Sequence, residues 1–460
     1  MSPSVPGPTA PRILLLGGTA ESARKAAECG LCVVNVDKPV LFEPAARKHC
    51  AQTHLIDYQD IGLVTTLARA LHQHAPFTRV LSQTEAGPLV AGHLTTVLGI
   101  AGNGVGVARV LHDKLALRDL LNTRGLGSVA ARRGTSCQAL RDFVAHHGGA
   151  VVKPTKGSGS LAVRKVRSAG EATEAWDWLA SYGVRHFMVE ELLAGPELSV
   201  ETFSVDGRHT VLAITGKDNG DGVVALGHVV PAELNQEEAS AVAALTCRML
   251  DAVGLVEGPA HTEVILTADG PRVVESHNRC AGGHINELVA MVHGVDLERL
   301  TYRLAGPDPV TVPEPAADGA AAVRFLTPPA GRVESVEGVD EARAAAGVVR
   351  VEVKVEPGQD VRPLHWSEDR SGVVVVRAEN SAAAARRARQ VAESIEIRTE
   401  PSEQEPATTM GELLAAVDEV LDPFAQDPYT HGPSAQDSLA QQEGPHACAP
   451  LSSTPPATYG

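Results

Sequence analysis

The sequence of 460 residues is long enough for about three domains of ordinary size, each with a hydrophobic core of its own. Its 40 basic and 56 acidic residues give a formal net charge of -16, and a chain with this charge repels nucleic acid phosphates. No stretch reaches the roughly 18 to 20 uninterrupted apolar residues of a membrane helix, so we expect neither a nucleic acid nor a membrane partner.

Cysteine usage and the N-terminal segment both favour the cytoplasm. The seven cysteines are scattered and do not form the even, regularly spaced set of a disulfide framework. The segment MSPSVPGPTAPR lacks the basic and then apolar order of a signal peptide. The single CxxC pair, Cys29 and Cys32, has no second pair to complete a zinc site, and apolar residues follow it. We interpret it as a helix end followed by a buried strand.

Alternating strands and helices are predicted near the N-terminus, after a flexible lead-in at residues 1–11. The run RILLLGG is typical of a buried strand, AESARKAAECG of a helix and LCVVNVD of a second strand. Such alternation indicates a parallel sheet flanked by helices, and we assign residues 12–110 to this α/β domain. The glycines of GNGVG at residues 102–106 predict a loop that leads into a helix carrying Lys114.

The rest of the chain divides by composition into three further regions. Between about residue 128 and residue 310 the sequence consists mainly of β-type segments with turn signals. Residues 311–400 combine short alternating strands with one Ala/Arg-rich helix. Residues 401–460 are rich in Ser, Pro, Gln and Gly, so we expect a mostly disordered tail that contains one short helix, MGELLAAVDEVL.

Two glutamates flank a predicted hairpin turn, ADG, in the stretch HTEVILTADGPRVVES. If the turn is a three-residue loop centred on Asp269, Glu263 and Glu275 face each other, since each lies six residues from the centre. Like charges at such positions are destabilising, and one carboxylate would take up a proton unless a cation lies between them. A divalent ion that prefers oxygen ligands, Mg²⁺, is the simplest remedy. The alternative is a register slip of one residue that turns one glutamate to solvent.

Several neighbouring residues have the chemistry of phosphate binding. Arg279 offers a fork of donors suited to phosphate or carboxylate, and Lys153 on a predicted strand supplies a point charge. A flexible loop follows this lysine and consists of Gly157, Ser158, Gly159 and Ser160. Backbone N–H groups in such a loop can cradle phosphate, although a Gly/Ser segment can also be a simple turn. Gly282 and Gly283 allow the backbone to approach a ligand closely, or form another turn.

This order of features closely resembles the ATP-grasp superfamily of carboxylate-amine ligases over residues 12–399. The family has a lysine on a helix, as in LHDKLALRDLL, and a lysine on a strand before a glycine-rich loop, as in VVKP. An acidic hinge (VEELLAGPELSVE) and a Glu…Glu-x-x-x-Arg ending follow. The resemblance implies a mixed α/β and α+β fold. It places a central ATP-binding domain at residues 111–310, with a lid at about 128–200 and a metal hairpin at 261–285, before a small β-rich domain at 311–400.

The resemblance also implies roles for individual residues in binding ATP. Lys114 and Lys153, together with the loop from Gly157 to Ser160, would contact the phosphates. Glu190 would meet the adenine amino group through its backbone carbonyl, Leu193 would offer its backbone N–H, and Glu197 would hold the ribose hydroxyls.

The implied metal site differs from the family pattern at one position. Glu263 and Glu275 resemble the Mg²⁺ ligands, and Arg279 resembles the arginine that steadies the transferred phosphate. The family usually has asparagine two residues after the second glutamate, whereas this chain has His277, and nitrogen is a poor magnesium ligand. Four readings stay open: neighbouring Asn278 replaces it, His277 binds a softer ion such as Mn²⁺, His277 bonds a phosphate oxygen, or His277 has no contact with the metal at all.

Within the superfamily the sequence is most similar to the L-amino acid ligases, which form dipeptides. The supporting stretches are ITGKDNGDGVVALGHVVPAEL and ESHNRCAGGHINEL. Lys217 and His228 of the first stretch join Lys153 and Arg279 as catalytic candidates. In the second stretch Gly282, Gly283 and His284 are expected to contact substrate, as is Arg279. His228 and His284 are also candidates for accepting the proton of the amine, since histidine titrates near neutral pH, or have structural roles only.

The activity implied by this resemblance is an ATP-dependent ligation of two small molecules. A carboxylate, expected to be that of an amino acid, is activated as an acyl phosphate and coupled to an amine, with release of ADP and phosphate. A homodimer is the default assembly because it is the commonest closed one. The alternatives are another ATP-grasp enzyme, such as a purine-pathway carboxylase or a formyl-phosphate-dependent transferase, and a nucleotide-binding regulator without turnover.

Overall fold

The computed structural model of the protein describes residues 10–181, 184 and 187–401. Most of the predicted lead-in and nearly all of the predicted tail, with its short helix, lie outside the described residues. Within the described part, no helix is both long enough and apolar enough to cross a membrane.

The N-terminal part is a parallel four-stranded sheet with helices packed against it, as predicted. The strand order is β3-β2-β1-β4. The strands are β1 (Arg12–Leu16), β2 (Cys32–Asp37), β3 (Gln52–Leu55) and β4 (Arg79–Ser82); the helices are α1 (Ala20–Glu28), α2 (Ile61–His74) and α3 (Gly87–Leu98), with a 3₁₀ turn at Pro44–His49. All of β1 is buried because helices cover both faces of the sheet. Cys29 ends α1 and Cys32 begins β2, as expected.

Two short helices then lead into a smaller antiparallel sheet. These helices are α4 (Val105–His112) and α5 (Lys114–Thr123). The GNGVG segment therefore leads into a helix that ends before Lys114, because Asp113 caps a new helix with its side chain and makes Lys114 the first residue of α5. The sheet has the order β5-β8-β6-β7 and carries two helices on one side. Its elements are β5 (Ala131–Arg133), α6 (Cys137–His147), β6 (Ala150–Pro154), β7 (Arg164–Val166), α7 (Ala169–Ser181) and β8 (Phe187–Glu191).

An antiparallel sheet of eight strands forms the centre of the molecule, in the order β13-β12-β9-β10-β11-β14-β18-β16. Its strands are β9 (Glu197–Val205), β10 (Arg208–Asp218), β11 (Gly227–Val230), β12 (Gly258–Thr267), β13 (Gly270–His277), β14 (Ala320–Leu326), β16 (Val348–Val353) and β18 (Gly372–Ala378). Helix α8 (Gln236–Val253) follows β11, and helices α9 (Ile285–His293) and α10 (Leu297–Arg303) follow β13 in succession. Separate apolar clusters under α8 and α9 anchor the sheet.

The C-terminal region continues this central sheet, because β14 pairs with β11 across the predicted boundary at residue 310. It also contributes a three-stranded sheet and two helices. These elements are β15 (Gly331–Glu337), α11 (Val339–Ala344), β17 (Asp360–Val361), α12 (Ser381–Glu393) and β19 (Glu396–Glu400), with a 3₁₀ turn at Ser367–Asp369. The predicted fold class, a mixed α/β fold with a parallel N-terminal sheet and a β-rich C-terminal region, is confirmed.

The hairpin of β12 and β13 places Glu263 opposite Glu275, as predicted, but for a different reason. Thr267 pairs with Gly270, so the turn has two residues rather than three. This turn alone would place Glu263 opposite Val274. A β-bulge between Glu263 and Val264 shifts the register by one residue and restores the glutamate pair.

Candidate active site

A cavity of about 590 Å³ lies between the small sheet, the central sheet and the C-terminal region. Nearly all of the predicted site residues line it: Lys114, Lys153, Gly157, Ser158, Gly159, Ser160, Glu190, Leu193, Glu197, Lys217, His228, Glu263, Glu275, His277, Arg279, Gly282 and Gly283. Two predicted residues, Asn278 and His284, are not part of this lining. The structure therefore brings together residues that are up to 169 positions apart, since 283 minus 114 is 169.

Strand alternation explains why His277 lines the cavity and Asn278 does not. Glu275, His277 and Arg279 are two residues apart, so their side chains point to one face of the chain. Ser276 points to the other face, where its hydroxyl lies 2.8 Å from that of Thr262. Asn278 follows the same alternation, and the prediction that it replaces the family's asparagine as a metal ligand finds no support in this geometry.

Two lysines hold the opposed carboxylates in the ionised form. The amino group of Lys217 lies 2.7 Å from Glu263, and that of Lys114 lies 3.0 Å from Glu275. Burial by itself would raise the pKa of Glu263, but Lys217 and His261 together outweigh it and the pKa lies below the usual value. Burial would also raise the pKa of Glu275, but Lys114 and His277 lower it, and the net result is a pKa below the usual value. The repulsion expected from the sequence is thus offset by protein cations.

The donor set of this pair fits magnesium. Mg²⁺ is commonly held by one or two carboxylates, with phosphate oxygens and water as the remaining ligands. Glu263 and Glu275 offer ionised oxygens on one wall of the cavity. Among the described residues no group of three or more His, Cys, Asp or Glu side chains has the geometry of a complete metal site. Phosphate oxygens would therefore have to supply the remaining ligands.

His277 is engaged by carboxylates through both ring nitrogens. Its Nδ1 lies 3.3 Å from Glu85 and its Nε2 lies 3.1 Å from Glu275. Burial would lower the pKa of His277, but Glu85 and Glu275 outweigh it and the pKa is raised. With each ring nitrogen facing a carboxylate, His277 is positioned to orient Glu85 and Glu275, a role that was not among the readings drawn from the sequence.

The side chain of Glu190 is buried between two cations. Lys153 lies 2.5 Å from one carboxylate oxygen, and Arg118 lies 3.3 Å from the other. These contacts occupy the side chain, which is compatible with the prediction that only the backbone of Glu190 contacts adenine. Leu193 follows on the same wall of the cavity. The carboxylate of Glu197 is bonded to Lys217 and to Asn219, so it reaches the cavity as part of a network.

The glycine-rich loop is tied to its surroundings at three points. Lys114 donates from its amino group to the carbonyl of Gly157. The backbone N–H of Ser367, in the C-terminal region, donates to the carbonyl of Gly159 at 3.0 Å. The hydroxyl of Ser160 donates to the carbonyl of Val223 at 2.9 Å. These bonds join the loop to α5, to the C-terminal region and to the segment that precedes β11.

Glu85 is the main site residue that the sequence analysis missed. One oxygen of Glu85 accepts from Nε of Arg279 at 3.0 Å and also from its Nη2, while the other faces His277. Glu85 follows β4 at the carboxyl edge of the parallel sheet, where ligands of α/β proteins usually bind. Its position just after a predicted parallel strand was the feature of the sequence that could have identified Glu85 as a site residue. The C-terminal residues Ser367, Glu368 and Arg370 also line the cavity without having been predicted.

The two candidate histidines differ in their surroundings. His228 is buried on the lining, and its pKa is lowered well below the usual value by burial and then by Lys217 and Arg370, so the ring is neutral. His284 begins α9 with a left-handed backbone conformation, and its Nδ1 faces Glu287 at 3.0 Å and Arg350. The predicted substrate contact through His284 is therefore not supported, because its ring is engaged with these two residues outside the lining.

Comparison with known families assigns two parts of the chain. Residues 148–287 match the ATP-grasp domain family, and residues 324–400 match the family described as L-amino acid ligase C-terminal domain 2. These two segments contain the glycine-rich loop, the glutamate pair and the C-terminal wall of the cavity.

Curated relatives are similar at low identity. An uncharacterized protein of Sinorhizobium fredii is 31% identical over 300 residues, which cover 63% of this chain and 61% of that protein. Alanine–anticapsin ligase of Bacillus subtilis is 26% identical over 228 residues, or 44% of this chain and 48% of that one. An L-arginine-specific L-amino acid ligase of Bacillus subtilis is 23% identical and covers 66% of this chain and 76% of that one. The chain thus spans less than two thirds of the first two relatives.

Solved structures confirm the fold. The crystal structure of L-amino acid ligase from Bacillus licheniformis matches with a TM-score of 0.72 at 20% identity, over 85% of this chain and 99% of that one. N5-carboxyaminoimidazole ribonucleotide synthetase from Thermotoga maritima matches with a TM-score of 0.64 at 16% identity, over 85% and 100%. Enzymes with different acceptors share this architecture, so the likeness identifies the fold and not the substrate.

Proposed function

Because the chain has the ATP-grasp fold and combines an ATP-grasp domain with an L-amino acid ligase C-terminal domain, we propose that it is an ATP-dependent ligase that joins a small carboxylate to an amine. An amino acid is the proposed carboxylate, and a peptide or amide bond is the proposed product. Homologues named as amino acid ligases support this choice of substrate class over the other ATP-grasp reactions.

The observation that carries the proposal is the convergence of opposite charges in one cavity. Lys114, Lys153 and the glycine-rich loop line the same cavity as the opposed Glu263 and Glu275, and Lys114 contacts both the loop and Glu275. Arg279 lies on the same face as Glu275. Transfer of a phosphoryl group between anions depends mainly on positioning and charge neutralisation, and these are the groups that provide both.

The first step proposed is phosphoryl transfer. A carboxylate oxygen of the first substrate attacks the γ-phosphorus of ATP, the bond to the β-phosphate oxygen breaks, and an acyl phosphate and ADP form. Magnesium bound by Glu263 and Glu275 would neutralise phosphate charge. Lys153 and Arg279 would help to neutralise the same phosphate charge. The glycine-rich loop from Gly157 to Ser160 would exclude water that hydrolyses the acyl phosphate.

The second step proposed is condensation with the amine. The amine attacks the acyl carbon, the bond to the phosphate oxygen breaks, and phosphate leaves with the two electrons of that bond. Arg279, held by Glu85, is placed to stabilise the oxyanion of the tetrahedral intermediate. Neutral His228 can accept the proton that the amine loses.

The test is a matrix of amino acids assayed in pairs for release of phosphate from ATP, followed by mass analysis of the product. We expect phosphate release that depends on a pair of amino acids, together with a product of their summed mass minus one water. Bicarbonate and ribonucleotides serve as contrast substrates. Phosphate release with these and not with amino acids would contradict the proposal and favour another ATP-grasp reaction.

A further inference from the structure

The C-terminal region contributes a charged wall to the cavity that neither the proposed phosphoryl transfer nor the proposed condensation has used. Arg370 lies between the 3₁₀ turn at Ser367–Asp369 and strand β18, and lines the cavity with Ser367 and Glu368. The same segment reaches the glycine-rich loop through Ser367. Arg370 is therefore close to the reacting groups although it belongs to a different part of the chain.

The guanidinium of Arg370 is held in place but lacks a counter-charge. It lies 3.7 Å from the centroid of the Phe325 ring, and its Nη2 donates to the carbonyl of Ala225 at 2.8 Å. Its Nε is buried and has no hydrogen-bond partner among the described residues. Burial lowers the pKa of Arg370 to about 10, with Glu368 opposing this shift, so the group remains charged at neutral pH.

Three lysines of the lining are paired with carboxylates, whereas Lys165 donates to the backbone carbonyl of Gly222 at 2.7 Å. Lys114 faces Glu275, Lys153 faces Glu190, and Lys217 faces both Glu197 and Glu263. The other arginine on the lining, Arg279, is held by Glu85.

Arg370 differs from these groups, since no carboxylate of the described residues lies within 4.0 Å of it. A buried guanidinium with an open donor is matched in shape and charge by a carboxylate, which it can bind with two parallel hydrogen bonds.

Arg370 is connected through Phe325 and His228 to the glycine turn that follows Arg279. The Phe325 ring that it covers also packs edge-on against His228, with ring centroids 5.7 Å apart. A Cβ atom at Gly283 would meet His228 at 3.0 Å, so the glycine turn after Arg279 lies against the other side of this histidine. Arg370, His228 and Gly283 thus line one part of the cavity, and Phe325 packs against them from behind. His228 also has a buried ring nitrogen, Nδ1, without a hydrogen-bond partner in the described part.

We propose that Arg370 binds the carboxylate of the amine substrate, so that this enzyme selects an amino acid as acceptor rather than a simple amine. This inference rests on the proposed function and specifies its second substrate. The carboxylate of the first substrate reacts beside Arg279 and the phosphates, so a second cation beyond His228 suits a second carboxylate. With its carboxylate on Arg370, the acceptor would present its amino group towards His228 and the acyl carbon.

The test compares acceptors with and without a carboxylate in three enzymes: wild type, Arg370→Met and Arg370→Lys. The first substrate is the acyl donor found in the amino acid screen, and the acceptors are L-alanine and L-alaninamide, with the best acceptor of the screen and its amide as a second pair. We expect Arg370→Met to raise KM for the amino acids roughly 10- to 100-fold and KM for the amides less than about threefold. Arg343→Met, which removes an exposed arginine of the same region, should change neither.

Each result supports or overturns the inference. Arg370→Lys keeps the charge but loses the two-pronged geometry, so it should raise KM for the amino acids by an intermediate factor. If Arg370→Met does not fold, the KM values of Arg370→Lys for amino acids and amides test the inference instead. An equal rise for amino acids and amides would reduce Arg370 to a structural part of the wall. A wild-type enzyme that couples only amides would overturn the inference and leave the ligase proposal intact, whereas absence of product with every amine would overturn both.

Discussion

Replacement of Glu85 by glutamine tests whether the N-terminal sheet positions the arginine of the site. Glu85→Gln keeps the shape of the side chain and removes its charge. Oε2 of Glu85 accepts from Arg279, with 3.0 Å between Nε and Oε2, and Oε1 lies 3.3 Å from His277. The substitution therefore leaves two cations without their shared carboxylate.

The expected loss of stability follows from the burial of this pair. Removal of one partner from a buried ion pair typically costs about 3 to 5 kcal/mol, because the remaining charge stays buried. The side chains of Glu85 and Arg279 are 22% and 11% exposed, so solvent screens part of the remaining charge. We expect the free energy of unfolding to fall by about 2 to 3 kcal/mol. Arg279 also loses its orientation, and a displacement of about 1 Å can lower kcat by roughly 100-fold.

Glu257→Gln is the matched control. Glu257 pairs with Arg79 of β4, with 2.8 Å between Nε and Oε1, and the two side chains are 16% and 18% exposed. This pair joins the same N-terminal sheet to the region of the central sheet, but neither residue lines the cavity. We expect Glu257→Gln to lose similar stability in urea unfolding and to retain wild-type kcat for phosphate release.

The comparison of the two variants separates positioning from stability. Glu85→Gln should lose both stability and turnover. ATP affinity measured by calorimetry should change less than about threefold, because Glu85 contacts Arg279 and not Lys114 or Lys153, the lysines expected to bind the phosphates of ATP. If Glu85→Gln and Glu257→Gln lose the same stability and both keep wild-type kcat, the positioning role of Glu85 is refuted. If Glu85→Gln unfolds at the wild-type urea concentration, the ion pair itself does not hold the two parts together.

Three further substitutions test other parts of the site. Glu275→Gln should abolish ADP formation with native circular dichroism, because the lost charge faces Lys114 and the cavity; wild-type ADP formation would contradict the metal assignment. Lys153→Met should weaken ATP binding roughly 10- to 100-fold in calorimetry, because it removes a cation expected to bind the phosphates and leaves Glu190 paired with Arg118 alone. Unchanged affinity would contradict the proposed role of Lys153. Burial holds the pKa of His112 down to about 4, against 6.5 when unfolded. Its contribution to stability is complete above pH 6.5 and is lost as the pH falls towards 4, by up to about 3 kcal/mol, so His112→Gln should flatten the pH dependence of urea unfolding in this range; equal slopes would refute the assignment.

The sequence by itself determined the elements whose signal is local. The run at Arg12–Leu16 is apolar at nearly every position, which is typical of a strand covered on both faces, and the structure confirms the buried strand. The glutamate pair was also within reach, because a hairpin brings together residues close in sequence. The lysines, the glycine-rich loop and Arg279 were expected in one site because of the resemblance to the ATP-grasp family, and not because of their spacing in the sequence.

Only the tertiary structure decided how the charges of the site are balanced. The bulge beside Glu263 is invisible in the apolar pattern, since a two-residue turn with a bulge and a three-residue loop give the same pairing. The partners of the key residues come from distant segments: Glu85 is 194 residues from Arg279, and Ser367 is 208 residues from Gly159. A charged side chain has the same local pattern whether it faces solvent or a buried partner. Which carboxylate meets which cation is therefore fixed by the packing of sheets against one another, and that packing depends on contacts that no local stretch of sequence contains.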